Sequence, residues 1–233
     1  MPGMIGTILR YVSEKDIFRF CSTSRRYRDL LCFFLKGRRV WTSTHEGVKG
    51  LAELGLDKVC AKLKGHIRPA MLSRAYYLDL YGSDIRDVSC LGNVHKLFLG
   101  ATRVRDVSCL GGVRTLNLAG THVRDVSMLG NLHCLGLQLT DVTDVSALGK
   151  LHTLSLIGVR VTDVSKLGNV HTLYLWSCPI KDVSMLGRVN TLTIMRTNVT
   201  DISALKDVPK LDANLEVPCP PPWSHPELAS RLY

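Results

Sequence analysis

Seven aspartates, Asp87, Asp106, Asp125, Asp144, Asp163, Asp182 and Asp201, follow one another at intervals of 19 residues. A period of this length, held without a gap, restricts the chain to a stacked-repeat architecture. The units read DVSCLGNVHKLFLGATRVR, DVSCLGGVRTLNLAGTHVR, DVSMLGNLHCLGLQLTDVT and so on, ending in a decaying DISALKDVPKLDANLEVP. Six slots per unit stay apolar. In the first unit they are Val88, Leu91, Val94, Leu97, Leu99 and Val104; in the fifth they are Val164, Leu167, Val170, Leu173, Leu175 and Ile180. A single 19-residue turn cannot bury such a stripe alone, whereas stacked turns merge each slot into a continuous column. A degenerate earlier turn places Leu78, Leu80 and Ile85 in the same register.

The Leu-x-Leu pairs at 78/80, 97/99, 116/118, 135/137, 154/156 and 173/175 alternate with the period of a strand. One short strand per turn pairs in parallel with the next. The pattern Leu91, Val94, Leu97, Leu99, Thr102, Val104 resembles the leucine-rich-repeat family over residues 72–213. That resemblance implies an α/β solenoid with short parallel strands and a protein-binding role. The units are shorter than most of that family, which predicts tight turns or 3₁₀ segments in place of outer helices. Thr102, Thr121, Thr140, Val159, Cys178 and Thr197 stand where the family usually has Asn. Within Asp-Val-Ser-x-Leu-Gly, each Asp is expected to accept backbone N–H groups as the cap of the outer turn, with Ser assisting. Gly92, Gly111, Gly130, Gly149, Gly168 and Gly187 are expected to let the chain turn sharply.

Several columns imitate chemistry. The aspartate column suggests calcium, but such a site needs several oxygens converging on one point, and one Asp per turn suits capping better. His95, His133, His152 and His171 share a slot two residues before the strand leucine, which suggests zinc. Arg114 and Asn190 fill the same slot elsewhere, so a solvated polar stripe is the preferred reading. The serines from Ser89 to Ser203 recur with no base beside them, and no phosphate-cradling loop or metalloprotease motif is present. None of the 8 cysteines forms a CxxC pair, and several occupy slots that other repeats fill with Ala, Met or Thr, so they read as small hydrophobes. No catalytic residue, metal or cofactor is assigned, and the chain is read as a non-enzyme.

The N-terminal stretch has a different period. Ile5, Ile8, Leu9 and Val12 fall at helical spacing, Ser13 and Asp16 suit the start of a second short helix carrying Ile17 and Phe20, and Tyr27, Leu30, Leu31 and Phe34 mark a third. The run Pro2, Ile5, Ile8, Leu9, Tyr11, Val12, Asp16, Ile17, Phe20, Cys21, Ser22, Arg25, Arg26, Tyr27, Leu30 and Trp41 resembles the F-box, with Tyr27 where a Trp is typical and without the usual acidic residues after the proline. The resemblance implies that Pro2, Ile5, Ile8, Leu9, Val12 and Ile17 dock to a Skp-type adaptor of a cullin–RING ubiquitin ligase while the repeats hold the substrate. The alternative is a helical cap on the first repeat with no ubiquitin link, the chain then being a leucine-rich-repeat scaffold. The organisation expected is a small all-helical module over 1–41, a helical linker or cap over 42–71, repeats over 72–213, and a proline-rich cap or tail over 214–233. That tail reads VPCPPPWSHPEL from Val217 and cannot continue a sheet, because proline has no N–H to donate.

Charge divides the chain in the same way. The net +10 sits almost wholly in residues 1–75, where 15 Lys and Arg face 6 Asp and Glu; the repeats, nearly neutral, give nucleic acid no footprint. No apolar run is long enough to span a membrane and no signal peptide is visible, so a cytoplasmic or nuclear monomer is expected. The partner is then a protein held on the concave side of the sheet. Aromatics make up only 6% of the chain, yet Tyr77, Tyr81, Phe98, Tyr174 and Trp176 fall at outward positions of the strands. With Ile157 and Met195 they are the candidate target-binding residues, expected as two exposed apolar patches: Ile157, Tyr174, Trp176 and Met195, and Tyr77, Tyr81 and Phe98.

Overall fold

The computed structural model describes residues 40–42, 59–63, 72–73 and 75–213. Among these residues ten strands form one sheet, wholly parallel, in strictly sequential order. They are β1 (Val40–Thr42), β2 (Val59–Lys62), β3 (Tyr77–Asp79), β4 (Lys96–Phe98), β5 (Thr115–Asn117), β6 (Cys134–Gly136), β7 (Thr153–Ile157), β8 (Thr172–Trp176), β9 (Thr191–Met195) and β10 (Lys210–Asp212). Sequential parallel pairing is what one strand per superhelical turn must give. The register repeats the sequence period: Leu78, Leu97, Leu116, Leu135, Leu154, Leu173 and Leu192 lie opposite one another in turn.

These leucines, with Leu80, Leu99, Leu118, Leu137, Leu156 and Leu175, are closed from solvent and belong to one continuous core. Each fully buried leucine contributes about 1.5–3 kcal/mol relative to exposure. Since every column passes through all turns, each turn depends on its two neighbours for that burial. Ladder hydrogen bonds run past the strands proper, Leu80 N–H to the Phe98 carbonyl at 2.8 Å, Leu99 to Asn117 at 2.8 Å and Leu118 to Gly136 at 2.9 Å.

An Asx turn marks the end of two of the short strands, while β4 and β6 also stop after three residues with Phe98 and Gly136 in the same slot. In β3 and β5 the next N–H leaves the ladder and donates to the side chain two residues back: Tyr81 N–H to Asp79 Oδ1 and Ala119 N–H to Asn117 Oδ1, both at 3.0 Å. Such Asx turns compete with sheet pairing, and these strands stop after three residues. Where Ser155, Tyr174 or Thr193 occupies that slot, β7, β8 and β9 run to five residues.

The outer edge is built of short 3₁₀ turns, at Ser108–Gly112, Ser127–Leu129, Ser146–Leu148, Ser165–Leu167, Ser184–Leu186 and Ser203–Leu205. This matches the expectation from the short repeat. Each is primed by its aspartate: the N–H groups of Ser89, Ser108, Ser127, Ser146, Ser165, Ser184 and Ser203 donate to the Asp two residues earlier at 2.8–2.9 Å. That N–H, and then the serine hydroxyl, hold the carboxyl groups below their ordinary range. In the slot where Asn is usual, the hydroxyls of Thr102, Thr121 and Thr140 donate to the carbonyls of Leu99, Leu118 and Leu137 at 2.6–2.8 Å. Cys178 reaches the Leu156 carbonyl instead, at 2.8 Å.

Two expectations need correction. The recurring glycines of the outer turns do not supply a special backbone angle: Gly130, Gly149, Gly168 and Gly187 have ordinary right-handed conformations, with φ from −65° to −59°. They are needed because successive turns approach closely, so that a Cβ at Gly111 would lie 2.8 Å from the Met128 carbonyl oxygen and one at Gly187 2.7 Å from that of Ala204. The positive φ values fall in another column: Gly82, Ala101, Gly120, Leu139, Gly158, Ser177 and Arg196 lie between 50° and 68°.

The second correction concerns the start of the array. Residues 42–71 were expected to be helical, yet β1 and β2 belong to the sheet, with Val40 opposite Val59 and Cys60 opposite Tyr77. Trp41, the late tryptophan of the F-box resemblance, sits at the centre of β1 and in register with Cys60. The first of these pairs keeps the 19-residue spacing although its apolar slots have decayed, which is why the sheet was not visible there. Pro2, Ile5, Ile8, Leu9, Val12 and Ile17, and the tail over 214–233, lie outside the described residues.

Candidate functional site

Strand side chains alternate between two faces, and with the leucines turned to the core, the residues before, between and after them lie on the opposite, open face. This is the side expected from the sequence to be concave. Apolar residues there form two small clusters separate from the main core: Tyr81 with Ala119 and Ala101, and Ile157 with Trp176 and Met195.

The second cluster arises from register alone. Ile157 pairs with Trp176 and Trp176 with Met195 on β7, β8 and β9, so three positions 19 residues apart become one patch. The guanidinium of Arg196 lies 5.7 Å from the Trp176 ring centre, a cation–π distance. Contiguity was expected; exposure was too, and that half of the expectation is wrong. Ile157, Trp176 and Met195 retain only 3%, 5% and 4% of their accessible surface. Tyr174, between them in sequence, is half-buried.

At the N-terminal end of the same face, Tyr77 and Phe98 meet across β3 and β4 with ring centres 5.2 Å apart. Both are half-buried. Tyr81, expected beside them, is buried, and its ring lies across Gly100, where a Cβ would come within 2.8 Å of it. Small residues in its own column, Gly100 and then Ala119, are what allow the tyrosine to lie down. The patch expected from Tyr77, Tyr81 and Phe98 is therefore an aromatic pair beside a sunken ring. Between the two ends the open face is polar and closed: Asn117, Gln138 and Ser155 are buried, with Gln138 Nε2 donating to Ser155 Oγ at 3.1 Å.

The histidine slot forms a stack. His133, His152 and His171 follow one another with ring centres 4.5 and 4.4 Å apart, and Tyr76 stacks on His95 at 4.6 Å. The Nδ1 atoms of His152 and His171 lie 3.0 and 3.2 Å from the Thr153 and Thr172 hydroxyls. Partial burial lowers the proton affinity of His95, helped by Arg114 and Lys96; it does the same to His133, helped by His152 and Arg114. Parallel rings point their nitrogens alongside one another and not at a common centre, and among the described residues no group of three or more His, Cys, Asp or Glu is placed to hold a metal ion. Cys90, Cys109, Cys134 and Cys178 are free thiols. Among the described residues no helix is long and apolar enough to cross a membrane.

No family model and no curated protein matches the chain. Solved structures do. Internalin C2 of Listeria monocytogenes aligns with a TM-score of 0.59 at 24% identity, over 74% of this chain and 84% of that one. An internalin, InlF, of the same bacterium aligns at 0.58 and 20% identity, over 87% and 74% respectively. A leucine-rich-repeat protein of Leptospira interrogans gives 0.50 and 18%, the match covering 77% of this chain and 59% of its own. At these identities the likeness establishes the fold, a leucine-rich-repeat solenoid.

Proposed function

We propose that this chain is a protein-interaction scaffold and that its target lies against the open face of the parallel sheet. The observation that carries this reading is the Tyr77–Phe98 pair, two half-buried aromatic rings 5.2 Å apart on adjacent strands of a face that the core does not need. Aromatic side chains of this kind are the commonest anchors of protein interfaces. Tyr81, Ile157, Tyr174, Trp176 and Met195 extend the same face, and the near-neutral repeats leave it without the basic excess that nucleic acid requires. The test is capture from a cell extract by the full chain, with a Tyr77→Ser/Phe98→Ser variant alongside and recovered proteins quantified by mass spectrometry. A target recovered by the parent and lost by the variant supports the reading; equal recovery by both removes the open face from it.

The finer reading, a substrate receptor of a cullin–RING ligase, rests on the F-box resemblance of Pro2, Ile5, Ile8, Leu9, Val12 and Ile17. The placement of Trp41 within the sheet favours the scaffold over this version. A purified Skp-type adaptor titrated against the full chain decides it. Binding that disappears in Ile8→Asp/Leu9→Asp supports the receptor, and no binding by the parent leaves the scaffold without a ubiquitin link.

A further inference from the structure

The near-neutral charge of the repeats conceals an uneven placement. The runs that lead from each outer turn into the next strand, 92–96, 111–115, 130–134, 149–153, 168–172 and 187–191, contain no Asp or Glu. Every one of them carries a base: His95 and Lys96, Arg114, His133, Lys150 and His152, His171, and Arg188 in turn. The carboxylates stand elsewhere, Asp87 and its equivalents at the start of the outer turns and Asp141 on the loop beyond β6. Since successive turns stack in register, the six runs share one edge of the solenoid, and that edge is basic along its length. Arg114, Lys150, His152, His171 and Arg188 are exposed there, while His95, Lys96 and His133 are half-buried.

At the middle of this edge stands the imidazole stack, His133, His152 and His171 with ring centres 4.5 and 4.4 Å apart. The Thr153 and Thr172 hydroxyls engage Nδ1 of His152 and His171, so Nε2, on the far side of each ring, is left for a partner. The described charged groups acting on His95 and His133 are all basic. After partial burial, Arg114 and Lys96 depress the proton affinity of His95, and His152 and Arg114 that of His133.

We propose that this edge is a proton-gated docking strip whose partner is an acidic, extended segment of a protein. Protonated imidazole donates from both nitrogens. Neighbouring Nε2–H groups separated by about the stacking distance can then share one carboxylate in charge-assisted hydrogen bonds. A bound carboxylate also relieves the repulsion among the rings, so binding takes up protons. By linkage, protonation tightens binding to the same degree. Shape selects a slender partner. The six runs span five steps of about 4.8 Å, about 24 Å in all, which about seven residues of extended chain at 3.4 Å each would cover. A nucleic acid duplex is broader and would also lie against the aspartate column a few residues away, whereas a single extended chain touches the strip alone.

The strip rests on the interaction-scaffold reading only in taking its partner to be a protein. Its test leaves Tyr77 and Phe98 unaltered, so failure here would leave capture by the open face standing. The probe is a fluorescent oligoglutamate peptide titrated against the full chain. One titration is run below the ordinary histidine value of about 6.5 but above the glutamate value of about 4.3, and one above both. The parent should bind at least about tenfold more tightly at the lower pH. The triple variant His133→Asn, His152→Asn and His171→Asn, carrying the residue found at Asn190 in the same slot, should bind alike at both. His152→Lys, with a charge that does not titrate in this window, should bind more tightly than the parent at the higher pH. Binding through the Lys and Arg of residues 1–75 does not titrate there and is common to all three chains. Parent affinity that is independent of pH, or a pH dependence that the triple variant retains, overturns the proposal. Tighter, stack-dependent binding of a single-stranded oligonucleotide at the lower pH overturns the protein partner in favour of nucleic acid.

Discussion

Gly130 packs beneath the carbonyl oxygen of Ala147 on the following turn so closely that a Cβ at Gly130 would lie 2.5 Å from it. The obstacle is backbone, which cannot swing aside as a side chain can. Gly130→Ala must therefore push the adjacent 3₁₀ turns away from each other, and we expect a loss of about 1–3 kcal/mol, the usual cost of overpacking. Gly82→Ala is the control. Nothing lies within 4 Å of its Cβ position, but its φ is +68°, so it should lose about 1 kcal/mol from backbone strain alone. Urea unfolding of both variants measures the difference; Gly82→Ala proving the costlier of the two would contradict the close-approach account.

The left-handed column offers the opposite change. Ser177 holds φ at 53° and donates its N–H to the Met195 carbonyl at 2.9 Å. Glycine keeps that bond and removes strain of about 1–2 kcal/mol, against an unfolded-chain entropy cost of about 0.5–1 kcal/mol. Ser177→Gly should be stabilising by about 0.5 kcal/mol, seen as a small rise in Tm. A fall in Tm would show that the hydroxyl does something the backbone argument omits.

The repeat made the strands, their register and the core legible in the sequence, because seven copies average out local ambiguity. Positions controlled by the neighbouring turn were less legible. The Gly130 slot looked like a turn glycine because the next turn's carbonyl cannot be inferred from one unit. The left-handed column was signalled only by Gly82, Gly120 and Gly158 in every second turn; Ala101, Leu139, Ser177 and Arg196 in the other turns concealed it. On the open face, Ile157, Trp176 and Met195 were correctly brought together by period, but how deeply they are buried depends on neighbours on adjacent strands, which alternation within one strand does not encode. The strands β1 and β2 were missed because the 19-residue spacing survives only between them, the step from β2 to β3 being 17 residues, and the strand leucines are absent there.

Acid should weaken the stacked rings of the histidine slot, His95 on Tyr76 and His133 on His152. His95 and His133 are held below the ordinary histidine value of about 6.5, so the unfolded chain takes up their protons first. Stability from these rings is complete above that value and is lost as pH falls through it towards the lowered folded values. Urea midpoints should therefore decrease as pH falls from above to below the ordinary histidine value of about 6.5. His133→Asn, which borrows the residue found at Asn190 in the same slot, should flatten that decrease. An unchanged pH slope would remove the stack from the account of stability.

Continuity of the columns sets the response to a core charge. Leu154 lies between Leu135 and Leu173 in register and is fully buried. Leu154→Asp places a carboxylate among leucines of three turns, and about 3 kcal/mol or more should be lost. A melting curve within a degree or two of the parent would be incompatible with a stacked core.

The open face as the binding surface is tested most directly at Phe98, which lies away from the buried Ile157–Trp176–Met195 cluster and outside the main core. The measurement is a binding isotherm of the full chain and of Phe98→Ala against the protein recovered by capture, with melting curves for both. The account predicts affinity reduced about thirtyfold, on the order of 2 kcal/mol, at unchanged Tm. Equal affinity for the two chains would contradict it.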